Sequence, residues 1–168
     1  SVMYGSDALG GVMQFITKRP TLSNNGGLET KINVDSRLSS ANNESKIHAD
    51  LNLGWERWAS LSSVSLSRFG DLKTGKRGIN QFPTSWRRDS MVVREQGRDI
   101  IVPTAASHIL NPTSYSQIDL AQKFLYLQND QVSHHINLQY STSTDVPRFD
   151  RLVQVRDDIF RYSEWYYG

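Results

Sequence analysis

The sequence predicts an all-β fold, in which about five to six antiparallel strands form part of a transmembrane β-barrel. Three of five strand-like stretches alternate apolar and polar residues with a period of two, the pattern of a strand with two different faces, and the other two alternate less regularly. Each stretch is close to the ~9–11 residues that a tilted strand needs to cross a bilayer. The links between the stretches alternate between short and long, as in membrane barrels with tight turns at one end and long loops at the other.

Residues 1–20 form a short unit before the first strand. Ser6 to Leu9 stand between Gly5 and the pair Gly10-Gly11, which predicts a one-turn helix with its cap and its stop. A short apolar run follows and ends at Pro20. The spacing matches neither the glycine fingerprints of phosphate-binding loops nor a serine nucleophile elbow. Taken alone, the unit fits a turn-helix-turn in a soluble domain equally well.

Three strands follow a polar, glycine-containing linker at residues 21–27. The first two carry apolar residues on one face and charged residues on the other. The third is rich in serine, and its apolar positions change parity between Leu61 and Val64, which predicts a β-bulge. These strands are predicted at residues 28–38, 45–55 and 58–69.

A long connection, residues 70–116, separates the third strand from the fourth. It contains three prolines and a cationic stretch, and only residues 100–102 within it resemble a strand. The fourth and fifth strands meet at Asn129-Asp130, a dipeptide of the kind that hairpin turns favour. These two strands are predicted at residues 117–128 and 132–140, and residues 141–168 are expected to be mostly loop.

Aromatic residues lie beside the short links. Trp55 and Trp58 flank one short turn, and Tyr126 lies near the other. Tryptophan and tyrosine are enriched at membrane interfaces, so these positions predict an aromatic girdle at the short-turn end. Because aromatic residues are also common in ordinary strands, the prediction depends on the topology being correct.

Composition narrows the classes of protein that the chain can belong to. Its 19 basic and 17 acidic residues give a net charge of +2 and are mixed along the sequence, so nucleic acid is not an expected partner. Mean hydropathy is −0.51, and no long apolar run predicts a transmembrane helix. The four histidines match no metal-binding motif. No catalytic activity, resident cofactor or metal is predicted.

The first eighteen residues read S-V-M-Y-G-S-D-A-L-G-G-V-M-Q-F-I-T-K. This string resembles the end of the plug domain of TonB-dependent outer-membrane receptors, in which a segment like S-x-x-Y-G-S-x-A-x-G-G-V-x-x-x-x-T-K precedes the barrel. Residues 143–152 and 161–168 are also similar to a loop in Bacteroidetes-type receptors of this family, often labelled as haem-type receptors. The plug-end motif is carried by Tyr4, Gly5, Ser6, Ala8, Gly10 and Gly11.

The resemblance implies that the chain is a fragment of a large plugged barrel of the ~22-strand class. It implies a location in the outer membrane of a Gram-negative bacterium and the uptake of a scarce nutrient, such as a ferric siderophore or haem. The implied partners are outer-membrane lipid, that small-molecule or haem-type ligand, and the TonB complex of the inner membrane. TonB contacts an N-terminal box that this fragment lacks. The implied domains are the plug end at 1–20, the linker at 21–27, and barrel strands with extracellular loops at 28–168.

Two groups of side chains are candidates for a role in that function. Trp86, Arg87 and Arg88 in the long loop offer a stacking surface and cations to an anionic ligand. The loop cations equally fit a solvated surface, or contact with phosphates of the outer leaflet. Charged residues on the polar strand faces are expected to hold the plug through polar contacts; they are Glu29, Lys31, Asp35, Arg37, Lys46 and Asp50.

Two other classes of protein remain open from the residues. A soluble antiparallel β domain, such as a binding or adhesion module, uses the same alternation to cover a core. A membrane-barrel enzyme with a serine and a histidine is the third alternative, although Ser–His pairs occur in any sequence.

Overall fold

The computed structural model describes residues 16–75, 87–157 and 159–167, and the chain is all-β, as the sequence predicts. Its main feature is a five-stranded antiparallel sheet, and the five strands lie side by side in the order in which they occur along the chain. Numbered along the described chain, all of the strands are β1 (Glu29–Ser39), β2 (Glu44–Gly54), β3 (Trp58–Phe69), β4 (Leu72–Lys73), β5 (Ser90–Glu95), β6 (Arg98–Pro103), β7 (Ile109–Leu110), β8 (Tyr115–Asn129), β9 (Val132–Ser143), β10 (Val146–Pro147), β11 (Val155–Arg156), β12 (Ile159–Phe160) and β13 (Tyr166–Tyr167), and the helix is α1 (Phe149–Leu152).

The sheet has the order β1-β2-β3-β8-β9 and is not closed. Its outer edges are β1 and β9, which each pair on one side only within the described residues. The ladders from β1 to β8 run without a register shift. The described sheet is therefore a continuous open sheet rather than a complete barrel.

The predicted bulge in β3 is wrong. The pairing of β3 with both neighbours is continuous through Leu61 and Val64, and the irregularity lies instead between Leu127 and Asn129 of β8. The change of parity has a different cause: Leu61 points to the polar side of the sheet, where it is only 4% exposed. An apolar residue can break the alternation without a bulge when another segment covers it.

One face of the sheet, the apolar face, carries most of the large apolar side chains of the five strands. These side chains are exposed, with Ile32 at 67% and Leu38 at 84% of their full accessible area. Cross-strand register places them in rows, so that Val34, Ala49, Val64, Leu120 and Tyr140 follow one another across the sheet. The apolar face is formed by Thr30, Ile32, Val34, Ser36, Leu38, Ser45, Ile47, Ala49, Leu51, Leu53, Trp58, Ser60, Ser62, Val64, Leu66, Arg68, Ser116, Ile118, Leu120, Gln122, Phe124, Tyr126, His134, Ile136, Leu138, Tyr140 and Thr142.

The two ends of the sheet differ in the length of their connections. At one end, residues 55–57 join β2 to β3 and residues 130–131 join β8 to β9; this is the short-turn end. The Asn129 side chain accepts hydrogen bonds from the amides of Gln131 and Val132, which fixes the second turn. At the other end, residues 70–114 separate β3 from β8; this is the long-loop end.

The long connection contains more structure than the sequence predicts. The strand-like piece expected at residues 100–102 is part of a hairpin between β5 and β6. Its turn uses Gln96 and Gly97, both with positive φ (48° and 78°), as a two-residue hairpin turn requires. β4 pairs with β7 at the base of the connection.

Residues 141–168 are also more regular than expected. β9 continues to Ser143 and β10 pairs with β13; between these two strands in the chain lie the single-turn helix and the pair formed by β11 and β12. Among the described residues, no helix is both long and apolar enough to cross a membrane.

Candidate functional site

The side of the sheet opposite the apolar face, the polar face, carries nearly all of its charged and amide side chains. Strand alternation separates the two sets, since neighbouring residues point to opposite faces. The polar face is formed mainly by Lys31, Asn33, Asp35, Arg37, Lys46, His48, Asp50, Asn52, Ser63, Ser65, Ser67, Gln117, Asp119, Lys123, His135, Asn137, Gln139 and Ser141.

Residues 16–23, the leading segment, lie across this polar face at the short-turn end. The Lys18 ammonium group lies 2.6 Å from the carboxylate of Asp50. Asn52 is the next residue of β2 on the polar face after Asp50. The amide of Thr21 donates to Asn52 Oδ1 at 2.9 Å, and Asn52 Nδ2 donates back to the Thr21 carbonyl at 3.0 Å. The amide of Ser23 donates to the carbonyl of Trp55. These bonds fix the main chain of the leading segment to β2 and to the turn after it.

A further anchor comes from β8. Lys123 Nζ donates to Thr17 Oγ1 at 2.6 Å and to the carbonyl of Lys18 at 2.7 Å. Leu61 of β3 pairs with both Asn52 and Lys123 in the register, so it lies between two anchors. The leading segment therefore spans β2, β3 and β8, and its burial of Leu61 explains the apolar residue on a polar face.

The anchoring side chains are buried although they are polar or charged. Asp50 is 7% exposed, Asn52 is 3% exposed and Lys123 is 6% exposed. Burial of such groups is costly unless each finds a partner, and each of the three finds one in the leading segment. The leading segment is thus required to satisfy the polar groups beneath it.

Asp50 is the centre of a wider network. Its Oδ1 accepts from Lys18 and, at 2.9 Å, from Asn33 Nδ2, while its Oδ2 lies 3.6 Å from His48 Nε2. The other ring nitrogen of His48, Nδ1, lies 2.7 Å from Ser65 Oγ. The order Ser65, His48, Asp50 is that of a catalytic triad, but 3.6 Å is too long for the hydrogen bond that orients the imidazole. The geometry fits a network that holds the leading segment in place.

Gly54 is the position where the leading segment comes closest to β2. A Cβ at Gly54 would lie 2.5 Å from the Thr21 carbonyl oxygen and 3.0 Å from the main chain of Leu22 and Ser23. Gly54→Ala is expected to destabilise the docked segment by about 1–3 kcal/mol, because backbone atoms cannot move aside as a flexible side chain does. Faster hydrogen exchange at the Thr21 and Ser23 amides would show this effect.

Gly27→Ala is the matched control, because a Cβ at Gly27 meets nothing within 4 Å. It is expected to leave the exchange of both amides unchanged. Wild-type protection of Thr21 and Ser23 in the Gly54→Ala variant would contradict the close approach of the leading segment to Gly54.

The structure tests the predicted plug-holding residues only in part. Asp50 binds the leading segment directly, and a Glu29 carboxylate oxygen lies 3.4 Å from the amide of Asn24, just beyond that segment. Lys31 pairs with Glu29, and Arg37 lies 3.6 Å from Glu44, so these two cations contact their own sheet. Sequence reasoning missed Asn52 and Lys123, although both lie on the polar face by parity.

The motif positions Tyr4, Gly5, Ser6, Ala8, Gly10 and Gly11 lie outside the described residues, as does Trp86. Of the other two predicted ligand-binding residues, Arg87 is exposed and Arg88 is buried. Arg88 donates to the carbonyls of Ser90, Asn111 and Leu152, and its guanidinium group lies 5.1 Å from the Phe149 ring centroid. Burial lowers the pKa of the Arg88 guanidinium group. In this structure Arg88 joins the long connection to α1, and a ligand role for the pair stays a prediction.

Residues 143–152 and 161–167, which belong to the two stretches that resemble a receptor loop, meet in space. Val146 pairs with Tyr167 in the β10–β13 ladder. The Arg148 guanidinium group lies 5.1 Å from the Tyr167 ring centroid and 6.0 Å from that of Trp165. Arginine over an aromatic face is a favourable contact, and it ties the two stretches into one unit at the long-loop end.

Aromatic side chains line the short-turn end of the apolar face. Trp58 stacks on Tyr126 with ring centroids 4.3 Å apart, and Tyr126 stacks on His134 at 6.0 Å. Trp55 is 41% exposed at the same end. The predicted cluster of aromatic residues beside the short turns is present, and its position at a membrane interface stays a prediction.

The described residues contain no group of three or more histidine, aspartate or glutamate side chains placed to hold a metal ion. His48 binds Ser65, and His134 and His135 point to opposite faces of β9. In comparisons with protein-family models, curated proteins and solved structures, no match to this chain was found.

Proposed function

We propose that this chain is the junction between the plug and the barrel of a TonB-dependent outer-membrane receptor, which imports a scarce nutrient such as a ferric siderophore or haem. The observation that carries the proposal is the inverted burial of the sheet. The leading segment covers its polar face around Asp50, Asn52 and Lys123, whereas many of the large apolar side chains of its apolar face are exposed. A plugged membrane barrel needs this arrangement, because its outer surface meets lipid and its lumen holds the plug.

The chemistry of the apolar face supports lipid contact. Among the described residues of the five strands, only Arg68 at the long-loop end brings a formal charge to that face. Near its centre, Gln122 accepts from Ser62 Oγ at 2.6 Å and donates to Ser60 Oγ at 2.8 Å. Polar groups in lipid must find partners within the protein, and these three side chains satisfy one another.

The dimensions of the apolar face agree with a bilayer. Trp58, at the aromatic short-turn end of β3, and Arg68, at the other end, are ten residues apart along the strand. At about 3.3 Å per residue that is ~33 Å along the strand, or ~25 Å of height at a tilt of about 40°. Membrane barrels have an apolar band about 25 Å tall between their interfaces.

The topology supports an orientation. The leading segment joins β1 at the end that also holds the turns at residues 55–57 and 130–131, whereas residues 70–114 lie at the other end. In membrane barrels the short turns face the periplasm and the long loops face the exterior. In this orientation the plug reaches its barrel from the periplasmic side, where the TonB complex acts. The transport mechanism is binding and gating, in which loops capture the ligand, the plug rearranges, and no covalent bond changes.

A fractionation experiment on the intact protein tests the membrane assignment. The protein is expected in the outer-membrane fraction and to migrate differently in SDS gels before and after boiling, because a closed barrel resists SDS until heated. A soluble binding or adhesion domain, the alternative, would appear in the soluble fraction without such a shift. That outcome would contradict the proposal.

Growth of a deletion strain on defined iron sources, haem and cobalamin tests the cargo. Loss of growth on one source, restored by the gene, would identify the nutrient class. Unchanged growth on every source would exclude the import of those ligands while leaving the barrel assignment to the fractionation experiment.

A further inference from the structure

Arg68 is an unusual residue on the apolar face. It lies at the long-loop end of β3, paired in register with Ser45 of β2 and Ser116 of β8. Its side chain is exposed, and no carboxylate among the described residues forms an ion pair with it. The row Ser45–Arg68–Ser116 therefore presents one cation and two hydroxyl groups at the edge of a largely apolar surface.

An apolar groove begins directly beside this row. The next row towards the centre of the sheet is Ile47, Leu66 and Ile118, and all three side chains are between 43% and 49% exposed. Together with Ser45, Arg68 and Ser116, these residues line a depression of about 330 Å³, and Lys46, Ser67 and Gln117 of the same strands also contribute to its lining. Successive rows on one face are about 7 Å apart along the strands, so the cation and the apolar lining fit one amphiphilic molecule.

The chemistry of the two rows defines the ligand. Arginine presents several donors in a planar fork that matches phosphate oxygens, and serine hydroxyls add neutral donors beside it. The isoleucine and leucine side chains below offer no hydrogen bonds and favour hydrocarbon. A free phosphate ion would bind the donors of Ser45, Arg68 and Ser116 but would leave the side chains of the Ile47–Leu66–Ile118 row exposed.

We propose that the Ser45–Arg68–Ser116 row and the groove beside it bind one anionic, phosphate-bearing lipid of the surrounding membrane. The phosphate lies against Arg68, and an acyl chain runs along Ile47, Leu66 and Ile118 towards the centre of the apolar face. This inference rests on the proposed membrane location and adds a specific lipid site to it.

Native mass spectrometry of the intact protein in detergent tests the site by titration with phosphatidylglycerol or with zwitterionic phosphatidylcholine. The wild type is expected to prefer phosphatidylglycerol, and Arg68→Gln is expected to reduce that preference about fivefold, since a basic residue near a membrane surface contributes roughly that much. Arg68→Lys keeps the charge and is expected to retain most of the preference. Inorganic phosphate added at the same concentration is expected not to displace the lipid.

Arg57→Gln is the matched control, because it removes the same charge from the turn between β2 and β3 at the opposite end of the sheet. It is expected to keep the wild-type preference. An unchanged preference in Arg68→Gln, an equal loss in Arg57→Gln, or displacement of the lipid by phosphate would each overturn the site.

A separate measurement distinguishes failure of the site from failure of the membrane assignment. A fluorophore attached at Leu66→Cys is expected to be quenched by a lipid-phase quencher in reconstituted vesicles. Quenching without selective binding at Arg68 would remove the lipid site and leave the proposed function standing. Absence of quenching would remove both.

Discussion

Leu120→Arg is expected to destabilise the protein in its proposed membrane-inserted state by about 2–4 kcal/mol, the cost of a basic side chain near the bilayer midplane on the lipid-facing surface of a barrel. Leu120 lies in the central row of the apolar face, between Val64 and Tyr140, and is 43% exposed. In the proposed membrane location the guanidinium group would lie in hydrocarbon, where charged groups are costly. Folding into vesicles, followed by urea titration of the gel-shift of unboiled samples, measures the loss.

Ala121→Arg is the control for the same strand and the same depth. Ala121 points to the polar face, beside Ser63 and Gln139, with Asp119 two residues away on that face. Its stability is expected to fall much less, because the new cation meets polar groups. Equal tolerance of both substitutions, or a greater loss for Ala121→Arg, would show that the apolar face does not meet lipid.

Asp50→Ala is expected to release the leading segment from the polar face. The substitution removes the acceptor of both Lys18 and Asn33 from a nearly buried position. Hydrogen bonds to charged groups contribute about 1.5–3 kcal/mol, so the fraction of molecules with the leading segment detached should increase about tenfold or more. Because Lys18 is half-exposed, water can solvate its freed ammonium group, which places the effect towards the lower bound.

Trypsin reports that opening directly. It cleaves after Lys18 once the segment leaves the sheet, while Pro20 protects the bond after Arg19. Asp119→Ala is the matched control, since this carboxylate on the same face binds Ser141 and Gln117 rather than the leading segment. Cleavage after Lys18 at the same rate in Asp50→Ala as in the wild type would show that the ion pair does not hold the segment.

The faces of β1, β2 and β9 could be predicted because the information that sets them is local: each residue points to one of two sides. A period of two assigns each residue to one face, and a register error of one residue would move every apolar side chain to the wrong side. The bounds of β3 agree with the prediction, and those of β1 and β2 differ by one residue. The hairpin of β5 and β6 was not predicted, because Gln96-Gly97 lacks the Asn or Asp that usually marks such a turn.

The candidate site was less predictable because it depends on contacts between distant parts of the chain. Parity places Lys123 on the polar face, but only the structure shows that it reaches Thr17, 106 residues away. The sequence around Leu61 predicts a bulge, because the segment that covers this residue lies far away in the chain. Arg88 was predicted from its charge alone, and charge does not reveal that its donors face carbonyl oxygens within the protein.

The bond between Lys123 and Thr17 also bears on the order of assembly. Lys123 reaches its place beside Leu61 only after β8 has paired with β3, which requires the intervening residues 70–114 to close into a loop first. Loop closure of this length is slow compared with the hairpins of β1, β2 and β3. The leading segment thus gains its contact with Lys123 late in folding. Complete docking of the segment therefore requires that β8 has already joined the sheet.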